Sequence, residues 1–300
     1  MNRKTAFIST VIIAAVIALS AAAFAQTNQS EGFILAHVLS QGETVSYKIT
    51  QQLTGMRMLP GASQATPIEC EMISTVRIRL VKALGKGNME LAAETESATL
   101  KMPGKEPRNM PVSKTPRTYR ITPSGTPVEI TKGDKVEATP VTRSILDSAW
   151  LESLVILAIF PETAVNVGSE WKQEMANPLK TDVKTRMSGK MEDLKQAKEG
   201  RIATVKEVVG IPYDQAPQDD PNMPGSSISG DVTLRFVADQ GRLLSAEGSI
   251  QANARTRMGM PGLPKGDLPM GSATAMKVEQ INSKFRIETV PPAPVPKPSG

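Results

Sequence analysis

Apolar and polar residues alternate with a period of two along most of the chain from residue 44 onward. In "TVSYKITQQLTG" (44–55) one side consists of Val45, Tyr47, Ile49 and Leu53. In "ECEMISTVRIRL" (69–80) the corresponding side consists of Cys70, Met72, Val76, Ile78 and Leu80. A period of two with one polar side predicts antiparallel strands in a sheet with one solvated face.

The most regular alternation runs through "DVTLRFVADQGRLLSAEGSIQANARTRM" (231–258). Val232, Leu234 and Phe236 share one side, and "DQG" (239–241) predicts a turn. One side of the strand after this turn is expected to consist of Leu244, Ala246, Gly248, Ile250, Ala252, Ala254 and Met258. Small inward residues and a glycine on a strand longer than the usual ~5–6 residues predict a strongly curved sheet.

One segment departs from this period. In "TRSILDSAWLESLVILAIFP" (142–161) apolar residues lie on all sides, and Pro161 can end a helix. We therefore predict a mainly β fold: strongly curved antiparallel sheet forming a half-barrel or sandwich, with one buried central helix at about 142–160.

Two hairpin-like stretches resemble each other, "TYRITPSGTPVEI" (118–130) and "TLRFVADQGRLLSAEG" (233–248). Two similar halves, at about 40–140 and 165–289 and joined by the helix, would explain this echo. The alternative is that any two hairpins look alike.

The first residues resemble a secretory signal peptide. "MNRKT" carries two basic residues, an apolar stretch follows, and "AFA" precedes Gln26. We predict cleavage after Ala25, with an uncleaved anchor as the alternative. A lipoprotein would need a cysteine at this junction, and the only cysteine is Cys70. The mature chain is then expected to be periplasmic or secreted, without a stable membrane anchor.

The rest of the chain is expected to be a single β-rich domain over 26–289, followed by a disordered, proline-rich tail over 290–300. A chain of this length buries enough apolar surface to fold without disulfides. We interpret Cys70 as a small buried apolar residue. The net charge of +5 is spread without a dense basic block and aromatic residues make up 4% of the chain, so nucleic acid is not an expected partner.

Catalytic motifs are not found. A serine triad would have to use His37, the single histidine, in a short segment expected to be peripheral. "PGSSISG" (224–230) does not match the nucleophile elbow. A solvated outer face explains the alternating acids best, namely Glu69, Glu71, Glu94 and Glu96. We therefore expect neither an enzyme nor a cofactor, and no catalytic residue.

Methionines raise the question of copper, because thioethers select Cu(I). "GMRM" (55–58) and "RMGM" (257–260) each contain M-x-M, and Met258 and Met260 lie in a Pro-Gly-rich loop. A connector loop explains them better, and core positions are expected for Met72, Met187, Met191 and Met276.

The acidic loop 213–225 contains the possible calcium ligands Asp214, Asp219, Asp220 and Asn222. Its spacing matches no EF-hand, so no metal is expected.

The segments "FPETAVNVGSEW" (160–171) and "DQGRLLSAEGS" (239–249) resemble an uncharacterised family of exported bacterial β-rich proteins. The family pattern places Pro, Val, Gly and Trp in the first segment and a Gly-x-Leu-x-Ser hairpin in the second. These are packing and turn residues, so the resemblance implies a fold and no active site. The long curved strands are also similar in architecture to the half-barrels of periplasmic lipoprotein carriers.

Three functions follow as alternatives. The first is an exported, non-enzymatic protein that binds a partner or has a structural role in the envelope. The second is a carrier that holds a lipid or another apolar ligand in a curved β cavity, as the small-residue face from Ala246 to Ala254 suggests. Small residues equally allow close sheet packing without a cavity. The third is methionine-based copper binding. The sequence does not identify the partner, and the candidates are an apolar small molecule or an envelope protein.

Overall fold

The computed structural model describes residues 32–58, 64–128, 151–177, 180–212, 227–257 and 276–291. The contacts within the chain define two compact units. The first is residues 1–33, of which only Gly32 and Phe33 are described, and the second is residues 34–300, which contains every element given below. The predicted signal peptide, the acidic loop after residue 212 and the methionine loop from residue 258 lie outside the described residues, as does the tail beyond residue 291.

Eleven strands form one sheet in the described part of the chain. They are β1 (Thr44–Met58), β2 (Thr66–Ala83), β3 (Met89–Lys101), β4 (Arg108–Asn109), β5 (Arg117–Ile121), β6 (Glu170–Asn177), β7 (Lys180–Ala197), β8 (Gly200–Pro212), β9 (Ser227–Val237), β10 (Arg242–Arg257) and β11 (Met276–Val290). The helical turns described are a 3₁₀ turn at Gly85–Gly87 and a π turn at Glu152–Ile156. No described helix is long and apolar enough to cross a bilayer.

All strand pairs are antiparallel, and the spatial order is β4-β3-β2-β1-β11-β10-β9-β8-β7-β6, with β5 also pairing with β3. β1 pairs with β2 on one side and with β11 on the other, which joins the early and late strands into one sheet. Among the described residues β6 does not pair with β4 or β5, so the curved sheet is not closed. The prediction of a mainly β, curved antiparallel fold is confirmed.

One face of the sheet forms the core, as the alternation predicted. This inner face carries side chains of 0% exposure on five different strands: Ile49, Val76, Val205, Leu234 and Ile287. The predicted apolar rows of β1 and β9 are buried, and so are the three methionines Met72, Met187 and Met191. Each such side chain stabilises the fold by about 1.5–3 kcal/mol through removal of apolar surface from water.

The first turn of β10 departs from the predicted alternation. A bulge between Leu243 and Ser245 shifts the register against β9, so that Leu243 is buried and Leu244 is only half-buried. The prediction that Leu244 faces inward is therefore wrong, since one extra residue reverses the parity of the strand before the bulge. From Ala246 onward the prediction is confirmed for Ala246, Ile250 and Ala252. The side chains of Ala254 and Met258 lie outside the described set.

The predicted helix at about 142–160 is described only from residue 151, and there it is limited to the turn Glu152–Ile156. Leu157 leaves the helical region at φ −98° and ψ 45°. Ala158 and Phe160 are buried outside any helix, and their backbone groups bond to other segments. The expected continuation to Pro161 is wrong because these tertiary hydrogen bonds replace the helical ones.

Candidate functional site

An aromatic cluster fills one end of the inner face. It consists of Phe236 from β9, Phe160 and His37, with ring centroids 4.7–5.5 Å apart. His37 precedes β1, and Phe160 follows the helical turn. The space beside them, against Tyr47 and Ile78, measures about 10 Å³, room for about one water. This end of the sheet interior is packed solid and offers no room for a ligand.

His37 is buried at 4% exposure, so the prediction that it lies in a peripheral segment is wrong. Its Nε2 lies 2.8 Å from the carbonyl oxygen of Ala158, and burial lowers the pKa of the imidazole. The ring is therefore neutral, with Nε2–H donating to that carbonyl. Since backbone and aromatic rings are its partners, this histidine has a packing role.

The backbone around His37 connects the two hairpins that resemble each other in sequence. The His37 amide donates to the Pro123 carbonyl at 2.7 Å, and the Val38 amide donates to the Gly241 carbonyl at 2.9 Å. The first turn contains Gly125 at φ +85°. A Cβ there would lie 2.2 Å from the Ala158 carbonyl oxygen, so only glycine fits.

A buried ion pair fixes the helical turn at the same end. Glu152 has a fully buried side chain, and the Arg117 guanidinium from β5 contacts both of its carboxylate oxygens, with Nε to Oε2 at 2.9 Å. The Tyr119 hydroxyl donates to the same carboxylate at 3.1 Å. Burial and the adjacent Glu152 charge raise the pKa of Tyr119, which keeps the phenol protonated as a donor. The cluster is fully hydrogen-bonded and therefore structural.

Further along the strands, a single register row crosses eight strands on the inner face; we call it the central row. In sheet order it consists of Met72, Gln51, Phe285, Gly248, Val232, Glu207, Gly189 and Trp171. In β9 it lies two inward positions from Phe236 of the aromatic cluster. One amide side chain, Gln51, and one carboxyl side chain, Glu207, thus share a row with apolar and aromatic residues.

Aromatic rings cover both glycines of the central row. A Cβ on Gly189 would lie 2.3 Å from the Trp171 ring, and one on Gly248 would lie 3.1 Å from the Phe285 ring and 2.3 Å from the Asp231 carbonyl oxygen. Glycine at these inward positions lets the neighbouring strand and ring approach closely. Both glycines therefore lie where a ring packs directly against the strand backbone.

Three buried side chains on this part of the inner face carry polar atoms without hydrogen-bond partners. Among the described residues, no hydrogen bond reaches Gln51 Oε1, Ser74 Oγ or either carboxyl oxygen of Glu207. The Gln51 amide nitrogen lies 3.4 Å from Ser283 Oγ, a long contact. Burial alone raises the pKa of Glu207 to about 8. Leaving such groups unpaired costs about 1–3 kcal/mol each, so each calls for a partner that the described chain does not supply.

The alternation by itself does not mark these three residues as a site, although the sequence contains a signal for them. Each one interrupts a buried apolar row at the inward parity: Gln51 lies between Ile49 and Leu53, and Glu207 lies between Val205 and Val209. Ser74 likewise follows Met72 at the inward spacing. A polar residue in step with an apolar row is the pattern that would have found them.

A second concavity lies beside β1, β2 and the loop after β3. Its lining includes Cys70, Glu69, Glu71, Lys101 and Glu106, around about 620 Å³ of open space. Cys70 was predicted to be buried, but in the structure it is only half-buried. This partial burial raises the pKa of its thiol. A thiol that stays protonated is a poor nucleophile. This concavity therefore lacks an activated group.

The remaining predicted sites either lie on the outer face of the sheet or fall outside the described residues. The acids on β3 lie on the outer face, where Arg77 contacts Glu94 at 2.9 Å and Glu96 at 3.1 Å. In the described ranges no three histidine, cysteine, aspartate or glutamate side chains form a metal site. The acidic loop and the loop with Met258 and Met260 lie outside those ranges, as does the side chain of Met276.

No family model and no curated protein matches the chain, so membership in the exported family stays a prediction. Three solved structures are weakly similar. A lipovitellin chain has 9% identity and a TM-score of 0.38 over 86% of this chain, which spans only 26% of that chain. A LolA-superfamily protein from Nitrosomonas europaea has 7% identity and a TM-score of 0.15, covering 82% of this chain and 87% of that chain. DynF from the dynemicin biosynthesis pathway of Micromonospora chersina has 12% identity and a TM-score of 0.19, covering 86% and 90%. These TM-scores are too low to assign a function.

Proposed function

We propose that this protein is an exported, non-enzymatic binding protein that holds an apolar ligand with hydrogen-bonding groups against the central row. One observation carries the proposal: Gln51 Oε1, Ser74 Oγ and both carboxyl oxygens of Glu207 are buried on an apolar face without hydrogen-bond partners in the described chain. Native proteins pair the large majority of buried polar groups. A ligand that is mostly apolar and has a few polar atoms would both cover the face and complete these hydrogen bonds.

The rest of the inner face fits this role. Ala246 and Ala252 on β10 are small, inward-facing residues that present little bulk to a ligand on the inner face. At the filled end the His37 and Phe160 rings pack against each other, so a ligand would be limited to the part of the inner face beyond them. Among the described residues β6 and β4 do not pair, so the inner face belongs to a sheet that is not closed.

Export and the absence of enzymatic activity belong to the proposal as well. The basic, apolar and small-residue sequence up to Ala25 supports secretion. His37 and Cys70 offer no activated nucleophile or base in the described geometry, since one is buried and neutral and the other is a protonated thiol. Binding therefore accounts for the polar groups better than catalysis.

The test is a pair of tryptophan variants on one strand. Ala252→Trp places a large side chain on the inner face, whereas Gln251→Trp places it on the exposed outer face. We expect Ala252→Trp to lower the amount of co-purified apolar ligand by about tenfold or more, and Gln251→Trp to leave it unchanged. Ligand is measured by mass spectrometry of solvent extracts.

Thermal unfolding of both variants serves as the control for folding. If Ala252→Trp does not fold, the smaller change Ala252→Leu is used in its place. Equal ligand content in the inner-face and outer-face variants would contradict the proposal, and absence of ligand from all three proteins would do so too.

A further inference from the structure

We propose that Glu207 anchors the polar group of the ligand and selects an uncharged carbonyl, such as that of an ester. This inference rests on the proposed function and goes beyond it, because it names the chemical class of the ligand and the residue that recognises it.

Glu207 is placed to face the sheet interior. It lies on β8 at 1% exposure, paired in register with Val232 of β9 and Gly189 of β7. Gly189 has no side chain, and the Trp171 ring of β6 lies over its backbone. The carboxyl group therefore stands beside apolar and aromatic surface, and both of its oxygens are unpaired in the described structure.

No described inner-face residue near Glu207 carries a charge. On β7 the inward neighbours are Met187 and Met191, and on β9 they are Gly230 and Leu234. On β6 they are Trp171 and Gln173, and the Gln173 amide donates to the Phe160 carbonyl at 2.7 Å. The described inward-facing positions of β6, β7 and β9 therefore hold no cation that would stabilise the ionised carboxylate.

The carboxyl group is accordingly protonated at neutral pH, since burial raises its pKa to about 8. A buried, protonated carboxylic acid donates its O–H as well as accepting a hydrogen bond. An ester or amide carbonyl accepts that hydrogen bond without bringing a charge into the apolar interior. A fatty-acid anion would bury a charge with no described cation beside it, and an alkylamine would require Glu207 to ionise.

Four probes with the same chain length test the inference: methyl laurate, laurate, dodecylamine and dodecane. Binding to the delipidated full chain is measured by displacement of a fluorescent apolar dye at about pH 6.5. We expect methyl laurate to bind about tenfold more tightly than dodecane, the effect of one hydrogen bond to a group otherwise left unpaired.

Two substitutions separate hydrogen bonding from charge. Glu207→Leu is expected to abolish the preference for methyl laurate while dodecane binds as before. Glu207→Gln retains a neutral donor, so it should keep the preference. The wild type should lose the preference as pH rises above 8, and Glu207→Gln should not. Glu247→Leu, on the exposed outer face of β10, serves as the matched control and should behave like the wild type.

The outcomes distinguish the two proposals. If wild-type protein binds neither methyl laurate nor dodecane, the proposed function fails. If both probes bind equally well and Glu207→Leu changes nothing, the proposed function stands and the role of Glu207 is overturned. Tighter binding of laurate or dodecylamine than of methyl laurate would overturn the carbonyl specificity.

Discussion

Burial of Glu207 has a consequence for the stability of the whole protein. Its pKa is raised from 4.5 to about 8 in the folded state, so the folded protein binds a proton that the unfolded chain has released between these values. The contribution of Glu207 to the free energy of unfolding is therefore highest below about pH 4.5, where its carboxyl is protonated in both states. It falls by roughly 5 kcal/mol as pH rises to about 8.

Glu207→Gln should remove this dependence. We expect the free energy of unfolding of the wild type to fall between about pH 5 and pH 8, and that of Glu207→Gln to change much less. Urea unfolding at several pH values measures both. Glu247→Gln, which changes an exposed acid, is the control and should follow the wild type. An equally steep decline in Glu207→Gln would mean that the carboxyl is not buried and unpaired as described.

His37 responds to pH in the opposite direction. Its pKa is lowered by burial, so the neutral ring stabilises the fold above pH 6.5, and this contribution is lost as pH falls through the lower folded-state value. The chain has one histidine, so its NMR titration is unambiguous. We expect a midpoint below 6.5. A midpoint at or above that value would show that the ring is not enclosed by Phe160 and Phe236.

At the scale of elements, the Arg117–Glu152 pair decides whether the helical turn Glu152–Ile156 stays attached to β5. Removing one partner of a buried ion pair leaves the other charge buried and unpaired. We expect Glu152→Gln to lower the free energy of unfolding by about 3–5 kcal/mol. The control is Glu174→Gln, which breaks an exposed pair with Arg186 and should cost less than about 1 kcal/mol. Chemical unfolding compares them, and similar costs would refute a buried pair.

The strands themselves could be predicted because their signal is local. Alternation identified the buried rows of β1 and β9 directly, since side chains on a strand point to opposite faces in turn. The bulge at Leu243 could not be predicted, because it arises from register against β9. The shortening of the helix after Ile156 was also hidden, because distant segments supply the partners of Ala158 and Phe160.

The candidate site was harder to predict from the sequence than the fold. Gln51 and Glu207 are 156 positions apart in sequence, and only the strand order places them in one row. Each could have been noticed as a polar residue at an inward position, but nothing local shows that they remain unpaired. The sequence predicts the small-residue face of β10 as a possible ligand surface, and the structure adds Gln51 and Glu207, which lie two strands away on either side in the same register row.

At the scale of the whole molecule, the described inner face has two parts with different tasks. The end around His37, Phe160 and Phe236 is filled and satisfies its polar groups with backbone partners. The part around the central row contains three buried side chains with polar atoms that have no hydrogen-bond partner among the described residues. Proteins that pair most polar groups and leave a few unpaired in one place commonly do so where something else binds.

The most direct test is native mass spectrometry of the full chain purified gently from the exported fraction of its own cells. We expect a bound apolar molecule of lipid-like size, released by organic solvent and carrying an uncharged carbonyl. A copper adduct in its place would favour the methionine loops around Met258. A protein of clean apo mass, which also takes up no methyl laurate or dodecane when these are added, would contradict the account of the central row as a ligand-binding site.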